Sequence, residues 1–316
     1  LSGNDDMDFT ANNLTTEPIV ATITVTPEFE FDGKVCDGED KTFTITVNPN
    51  ADMNGVEDQV VCHGDTTSIV EFTTQNTGGT TTYAWTNNTP SIGLSGSGSG
   101  DILSFTATNI TAAPVVATIT VTPTFENEGI VCDGEDNTFT ITVNPTAQVD
   151  QPLDQVVCNE EDVNVLFTTQ NTLGSTSYSW ISDIDIGAGL SGNDDMDFTA
   201  NNLTTEPIVA TITVTPTFEN EGIVCDGEDK TFTITVNPTV VVNTLADQYI
   251  TSGQTSSSVN ISSNTTNVTF NWTAVADSGI TGLINSSSTG TTFIPAETLF
   301  NSGTAPLDVT YTIYPV

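Results

Sequence analysis

The side chains of this 316-residue chain that could do chemistry are five cysteines, one histidine and 41 carboxylates. The cysteines are Cys36, Cys62, Cys132, Cys158 and Cys225, and no two have Cys-x-x-Cys spacing. A zinc ribbon or a thioredoxin-type redox pair is therefore not expected, and the thiols are read as disulfide partners. His63 follows Cys62, but the matching position one repeat later is Asn159. General acid–base work needs a supporting constellation, so His63 is expected to be a turn residue. No Ser-His-Asp set, His-Glu-x-x-His motif or phosphate loop is present, and the chain is not expected to be an enzyme. Gly96, Gly98 and Gly100 alternate with serine ahead of a strand rather than a helix, which predicts a flexible turn.

The carboxylates make the sharper candidate. Asp183, Asp185, Asp194, Asp195 and Asp197 crowd into one short stretch, and Asp226, Glu228 and Asp229 form a second acidic loop. Hard cations such as Ca²⁺ take six to eight oxygens from carboxylates and carbonyls. The first five are the candidate metal ligands, with calcium as the one cofactor suggested and none required. The competing reading is solvated turns whose like charge keeps the protein soluble.

Charge excludes whole classes of partner. Only Lys34, Lys41 and Lys230 are basic and the formal net charge is −38. Binding nucleic acid needs cations to displace phosphate counterions, and an anionic membrane surface is disfavoured in the same way. No segment approaches the ~20 apolar residues that span a bilayer as a helix.

The elements that must position these residues come from self-comparison. Leu1–Pro27 is identical to Leu190–Pro216, and Val35–Pro49 to Val224–Pro238. Asp58-Gln59, Asp154-Gln155 and Asp247-Gln248 open successive units, Trp85, Trp180 and Trp272 follow, and Asn-Pro closes them at Pro49, Pro145 and Pro238, 96 and 93 residues apart. That period is the size of one β-sandwich domain. The expected organisation is the C-terminal half of a repeat at 1–49, complete repeats at 50–145 and 146–238, and a divergent, truncated repeat at 239–316. Both ends fall within a unit, as expected of a window on a longer array. The short connections 50–57, 146–153 and 239–246 lack the composition of a flexible linker, which predicts a semi-rigid rod.

Within a unit, Ala117, Ile119 and Val121 alternate with threonines, as do Phe139, Ile141 and Val143. Period two with one apolar face marks half-buried strands. Strands are also predicted at 59–62, 68–73, 80–86 and 102–106, with Trp85 as core plug. Pro123–Asn137 is expected to be a long acidic loop. The fold class is all-β: tandem immunoglobulin-like sandwiches.

Two cysteine pairings fit the repeat: Cys62–Cys132 with Cys158–Cys225 inside units, or Cys36–Cys62 with Cys132–Cys158 across junctions. The divergent unit has Thr251 where Cys62 stands, so the second scheme strands Cys225. The first leaves only Cys36 alone, its partner lying outside the chain, and is the expected one. Disulfides place the chain in an oxidising, extracytoplasmic compartment.

The phrases Ala117–Pro123, Thr138–Pro145, Ser104–Asn109 and Tyr83–Asn88 resemble the PKD-like repeats of giant Bacteroidota cell-surface adhesins of the gliding-motility (SprB-like) type. The resemblance is good over 1–238 and loose over 239–316. It implies type IX secretion, display on the bacterial outer surface as an adhesive filament, and contact with extracellular surfaces, polysaccharides or other surface proteins. The alternative is that the repeats are spacer or glycan-binding modules of a large secreted enzyme.

Overall fold

The computed structural model describes residues 6–316. Two compact units are present, one formed by the described residues up to Gln148 with Thr169–Thr176 and Pro216–Glu228, the other by Val149–Thr168, Ser177–Thr215 and Asp229–Val316.

In the first unit the main sheet runs Gln59–Cys62, Asn137–Asn144, Val115–Asn127, Thr80–Asn87, Ser97–Ser99. Gln59–Cys62 lies parallel to Asn137–Asn144, and the other pairs are antiparallel. Ala117, Ile119, Val121, Phe139, Ile141 and Val143 all point into one buried cluster with Trp85. The intervening threonines take the opposite face, because successive side chains on a strand alternate, and of these Thr142 is itself covered. The opposing layer is thinner than the sequence predicts. Segment 68–73 touches 102–106 through a single bridge at Val70–Ile102, with a second at Thr66–Thr106 just ahead of it, rather than forming a ladder.

The second unit repeats this plan. Gln155–Cys158, Lys230–Asn237 and Ile208–Asn220 take the same order, continued by Ser175–Ser182 and Ser191–Asn193. Here the thin layer is a true ladder, Asp162–Val165 on Met196–Thr199. A second core gathers around Trp180 and Met196, and a third, smaller one around Phe270, Trp272 and Ile294. The third belongs to the divergent repeat, whose sheet orders Ser287–Thr291, Phe270–Ala276, Val309–Pro315.

Two turns differ from expectation. The Gly96–Gly100 stretch is not a free turn: Ser97–Ser99 pairs with the Trp85 strand, Gly98 opposite Trp85. A Cβ on Gly98 would sit 2.1 Å from the indole, so only glycine lets the ring lie flat there. Pro123–Asn137 is not a long loop either. Val115–Asn127 runs on past the core, turns at Glu128-Gly129, and returns as Ile130–Asp133. Glu128 and Gly129 both take positive φ, 52° and 79°, the tight two-residue turn that suits twisted strands. The result is a projecting tip hairpin, and it recurs at Pro216–Asp226 and at Glu28–Asp37.

Candidate functional site

The tip hairpins build the site, a joint between consecutive repeats. In the first unit, Asn144 at the end of one repeat donates from Nδ2 to the carbonyl of Asn220 at 3.1 Å, and Asn220 Nδ2 donates back to Asn144 Oδ1 at 3.0 Å. Asn48 and Asn127 repeat the reciprocal pair at 3.3 and 2.9 Å. The Pro216–Asp226 hairpin thus holds Asn144, and the hairpin that turns at Glu128-Gly129 holds Asn48, each at an Asn-Pro pair. A side-chain amide has one acceptor and two donors, which is why asparagine can bond a backbone carbonyl and another amide at once.

The connecting segment is fixed too. Asn171 Oδ1 accepts the Gln148 amide at 2.7 Å while its Nδ2 reaches the carbonyls of Thr146 and Ala112. Asn76 does the same with Asp52, Asn50 and Thr16. Asn264 keeps the contacts to Val241 and Thr239. Backbone bonds from Thr77 to Thr16 and from Thr172 to Ala112 close the other side. At the hairpin base, Gly134 and Gly227 lie so close to Ala51 and Ala147 that a Cβ would meet the alanine carbonyl oxygens at 2.3 and 2.2 Å.

The disulfide belongs to this joint. Cys62 is bonded to Cys225, with Cα atoms 5.6 Å apart, and Cys36, Cys132 and Cys158 are free. The expected Cys62–Cys132 and Cys158–Cys225 bonds are not formed, nor is either across-junction pair. The reason is the hairpin. Its return strand overshoots its own sandwich, so Cys225 lies beside the Gln59–Cys62 strand of the preceding repeat. The expectation took the cysteine for part of a loop over its own core.

The five aspartates are not brought together as a metal site. Among the described residues no group of three or more His, Cys, Asp or Glu side chains could hold an ion. Asp195 Oδ1 accepts the Phe167 amide, and Asp183 Oδ1 the Thr211 amide, each at 2.7 Å. Asp185 Oδ1 caps the amides of Gly187 and Gly189, and those two bonds hold its carboxyl below the usual aspartate value. Asp194 sits in the left-handed region at φ 57°, and Asp197 lies on the Met196–Thr199 strand. In the acidic loops, Asp40, Asp136 and Asp229 accept the hydroxyls of Thr26, Thr122 and Thr215. Many of these acids are therefore backbone and side-chain staples.

His63 is a turn residue whose Nδ1 accepts the Asn109 amide at 2.9 Å. Sequence reasoning missed the asparagines of the joint. The signal was present in the recurring Gln-Asn-Thr at 75–77 and 170–172 and in the Asn-Pro closures.

No protein-family model matches the chain. No curated protein matches it either. Among solved structures it is similar to a three-domain immunoglobulin segment of titin, I67–I69, at 10% identity, covering 82% of this chain and 90% of that one with a TM-score of 0.41. The N-terminal eight immunoglobulin domains of the Down syndrome cell adhesion molecule align at 10% identity over 95% of this chain and 52% of that one, TM-score 0.34. Cadherin domains 1–4 of protocadherin gamma B7 align at 9% identity over 93% and 83%, TM-score 0.31. The chain is a set of tandem immunoglobulin-like β-sandwiches. Among the described residues no helix is long and apolar enough to cross a membrane.

Proposed function

We propose that this chain is a load-bearing repeat segment, a stalk, of an extracellular surface adhesin. The observation that carries this reading is the joint. Each complete repeat sends a hairpin back to grip the one before it, and one grip is covalent. Tension applied along the chain passes from Cys62 to Cys225 through the disulfide and bypasses the residues between. That route suits a part that must carry force outside the cell, where disulfides persist. A net charge of −38 adds mutual repulsion between neighbouring molecules.

The finer reading follows the resemblance. The repeats are displayed by a gliding, type IX-secreting bacterium, the boundaries are those at 49, 145 and 238, and the partners are extracellular surfaces and polysaccharides. Antibodies raised against the chain test the placement on intact and permeabilised cells of its source. Labelling of intact cells, lost on shaving with an external protease, is expected. Labelling only after permeabilisation would overturn the proposal.

A further inference from the structure

The chain contains the two halves of its disulfide joint twice in identical sequence, once assembled and once open. Asp58–Cys62 and Asp154–Cys158 are both Asp-Gln-Val-Val-Cys, and Pro123–Gly134 is identical to Pro216–Gly227. Gln59–Cys62 carries the Pro216–Gly227 hairpin and Cys225. Gln155–Cys158 carries none, and Cys158 is a free, exposed thiol. Since the sequences match, differences in exposure report what the hairpin covers. Val60 and Cys62 are half-buried in the assembled joint, while Val156 is 70% exposed and Cys158 is open. On the hairpin, Ile223 and Cys225 are 36% and 2% exposed beside the Gln59–Cys62 strand, whereas on the Pro123–Gly134 hairpin, which pairs with Asn48 but has no such strand beside it among the described residues, Ile130 is 61% exposed and Cys132 is only half-covered. Asn144 is fully buried in its pair with Asn220, while its counterpart Asn237 is half-buried and makes no side-chain hydrogen bond among the described residues.

We infer that the edge formed by Gln155–Cys158 and Asn237 is a docking site for the cysteine-bearing tip hairpin of another copy of this repeat, closed by a disulfide to Cys158. The recognition elements are those of the assembled joint: the isoleucine and cysteine of the hairpin against Val156 and Cys158, and the hairpin asparagine against Asn237. The bond forms by exchange with a small-molecule disulfide such as oxidised glutathione. The two cysteine thiols give up their protons and two electrons, the S–S bond forms, and one glutathione disulfide becomes two glutathione thiols. The inference stands on the internal comparison and holds whether or not the chain is a stalk.

The test uses the full chain and a synthetic peptide with the sequence of Pro216–Gly227, mixed in a glutathione redox buffer and mapped by mass spectrometry without reduction. Covering one valine and pairing one asparagine predicts about tenfold more peptide on Cys158 than on Cys36, which is also a free, exposed thiol. A peptide carrying Asn220→Ala and Ile223→Ser should lose that preference, because its cysteine is unchanged and only its recognition groups are gone. Equal labelling of Cys36 and Cys158, an unchanged preference with the altered peptide, or no capture at Cys158 would each overturn the inference. Because the readout is a site of disulfide exchange, it is independent of where the protein resides.

Discussion

At position 63 an imidazole nitrogen accepts the amide hydrogen of Asn109, and one repeat later Asn159 Oδ1 accepts that of Asn202 at 2.6 Å. Two unlike side chains fill one role because the turn needs an acceptor at that point and nothing else. His63→Asn should therefore leave the thermal midpoint nearly unchanged. His63→Ala, which orphans a part-buried amide, should cost about 1 kcal/mol in denaturant unfolding. A larger loss for the asparagine variant than for alanine would contradict this role. Asn109 and Asn202 show why their Asn-x-Thr triplets are not open glycan acceptors. Each is buried, with its amide spent on two backbone carbonyls, Ala113 and Val143 in one case, Glu206 and Val236 in the other. Glu297 is the buried acid of the divergent repeat. Burial would raise its carboxyl, but the Asn285 side chain and the amides of Asn285 and Ile284 outweigh that and hold it below the ordinary glutamate value. A depressed folded value gives stability that is present above the unfolded glutamate value and lost as pH falls through the folded one. Wild type should exceed Glu297→Gln in melting temperature at pH 7. That gap should shrink below about pH 4.3, and a gap independent of pH would exclude the charged role.

The tip hairpin is the element that turns a row of sandwiches into a jointed one. Its outgoing strand extends a core strand and its return strand pairs back onto that extension, and Phe125 and Phe218 at its root are fully buried over Gly79 and Gly174. Those glycines are small because the phenyl rings need the space: a Cβ would meet them at 2.4 and 2.3 Å. The root is therefore rigid and the tip carries the polar contacts. Asn144→Ala should remove two reciprocal bonds from a buried position and cost about 2 kcal/mol. The loss should appear as faster hydrogen exchange at residues 217–226 while the sheet around Ile119 and Ile141 keeps its protection. Uniform acceleration through the first unit would mean that Asn144 supports the core rather than the joint.

At the scale of the whole chain, the disulfide spans a sequence separation of 163 residues. In the chain-entropy view a loop of that length restrains the unfolded chain by about 5 kcal/mol. The mechanical consequence is more direct. Pulled from its ends, the fully unfolded oxidised chain should be shorter than the reduced one by roughly 550 Å, taking ~3.3–3.6 Å per residue. Single-molecule force measurements with and without reductant read this difference. Equal final lengths would show that Cys62 and Cys225 are not joined, and a difference of about 230 Å, for a loop of about 70 residues, would point to a bond within one repeat.

The period-two alternation of apolar residues with threonine and the recurring tryptophan were enough to determine the sandwich type, because strand burial is a local pattern with one face wet and one dry. The role of His63 was legible for the same reason, since Asn159 stood in its place. The partner of Cys62 was not. Sequence comparison shows that Cys132 and Cys225 are equivalent, but equivalence does not say whether a cysteine faces its own repeat or the one before. The direction and reach of the hairpin decide that, and both depend on how far Val115–Asn127 and Ile208–Asn220 continue past their cores. The aspartates followed the same logic. Their crowding at 183–197 was visible in the chain, yet a metal site needs convergence of side chains in space, and the fold sends Asp183, Asp185 and Asp195 to separate backbone amides.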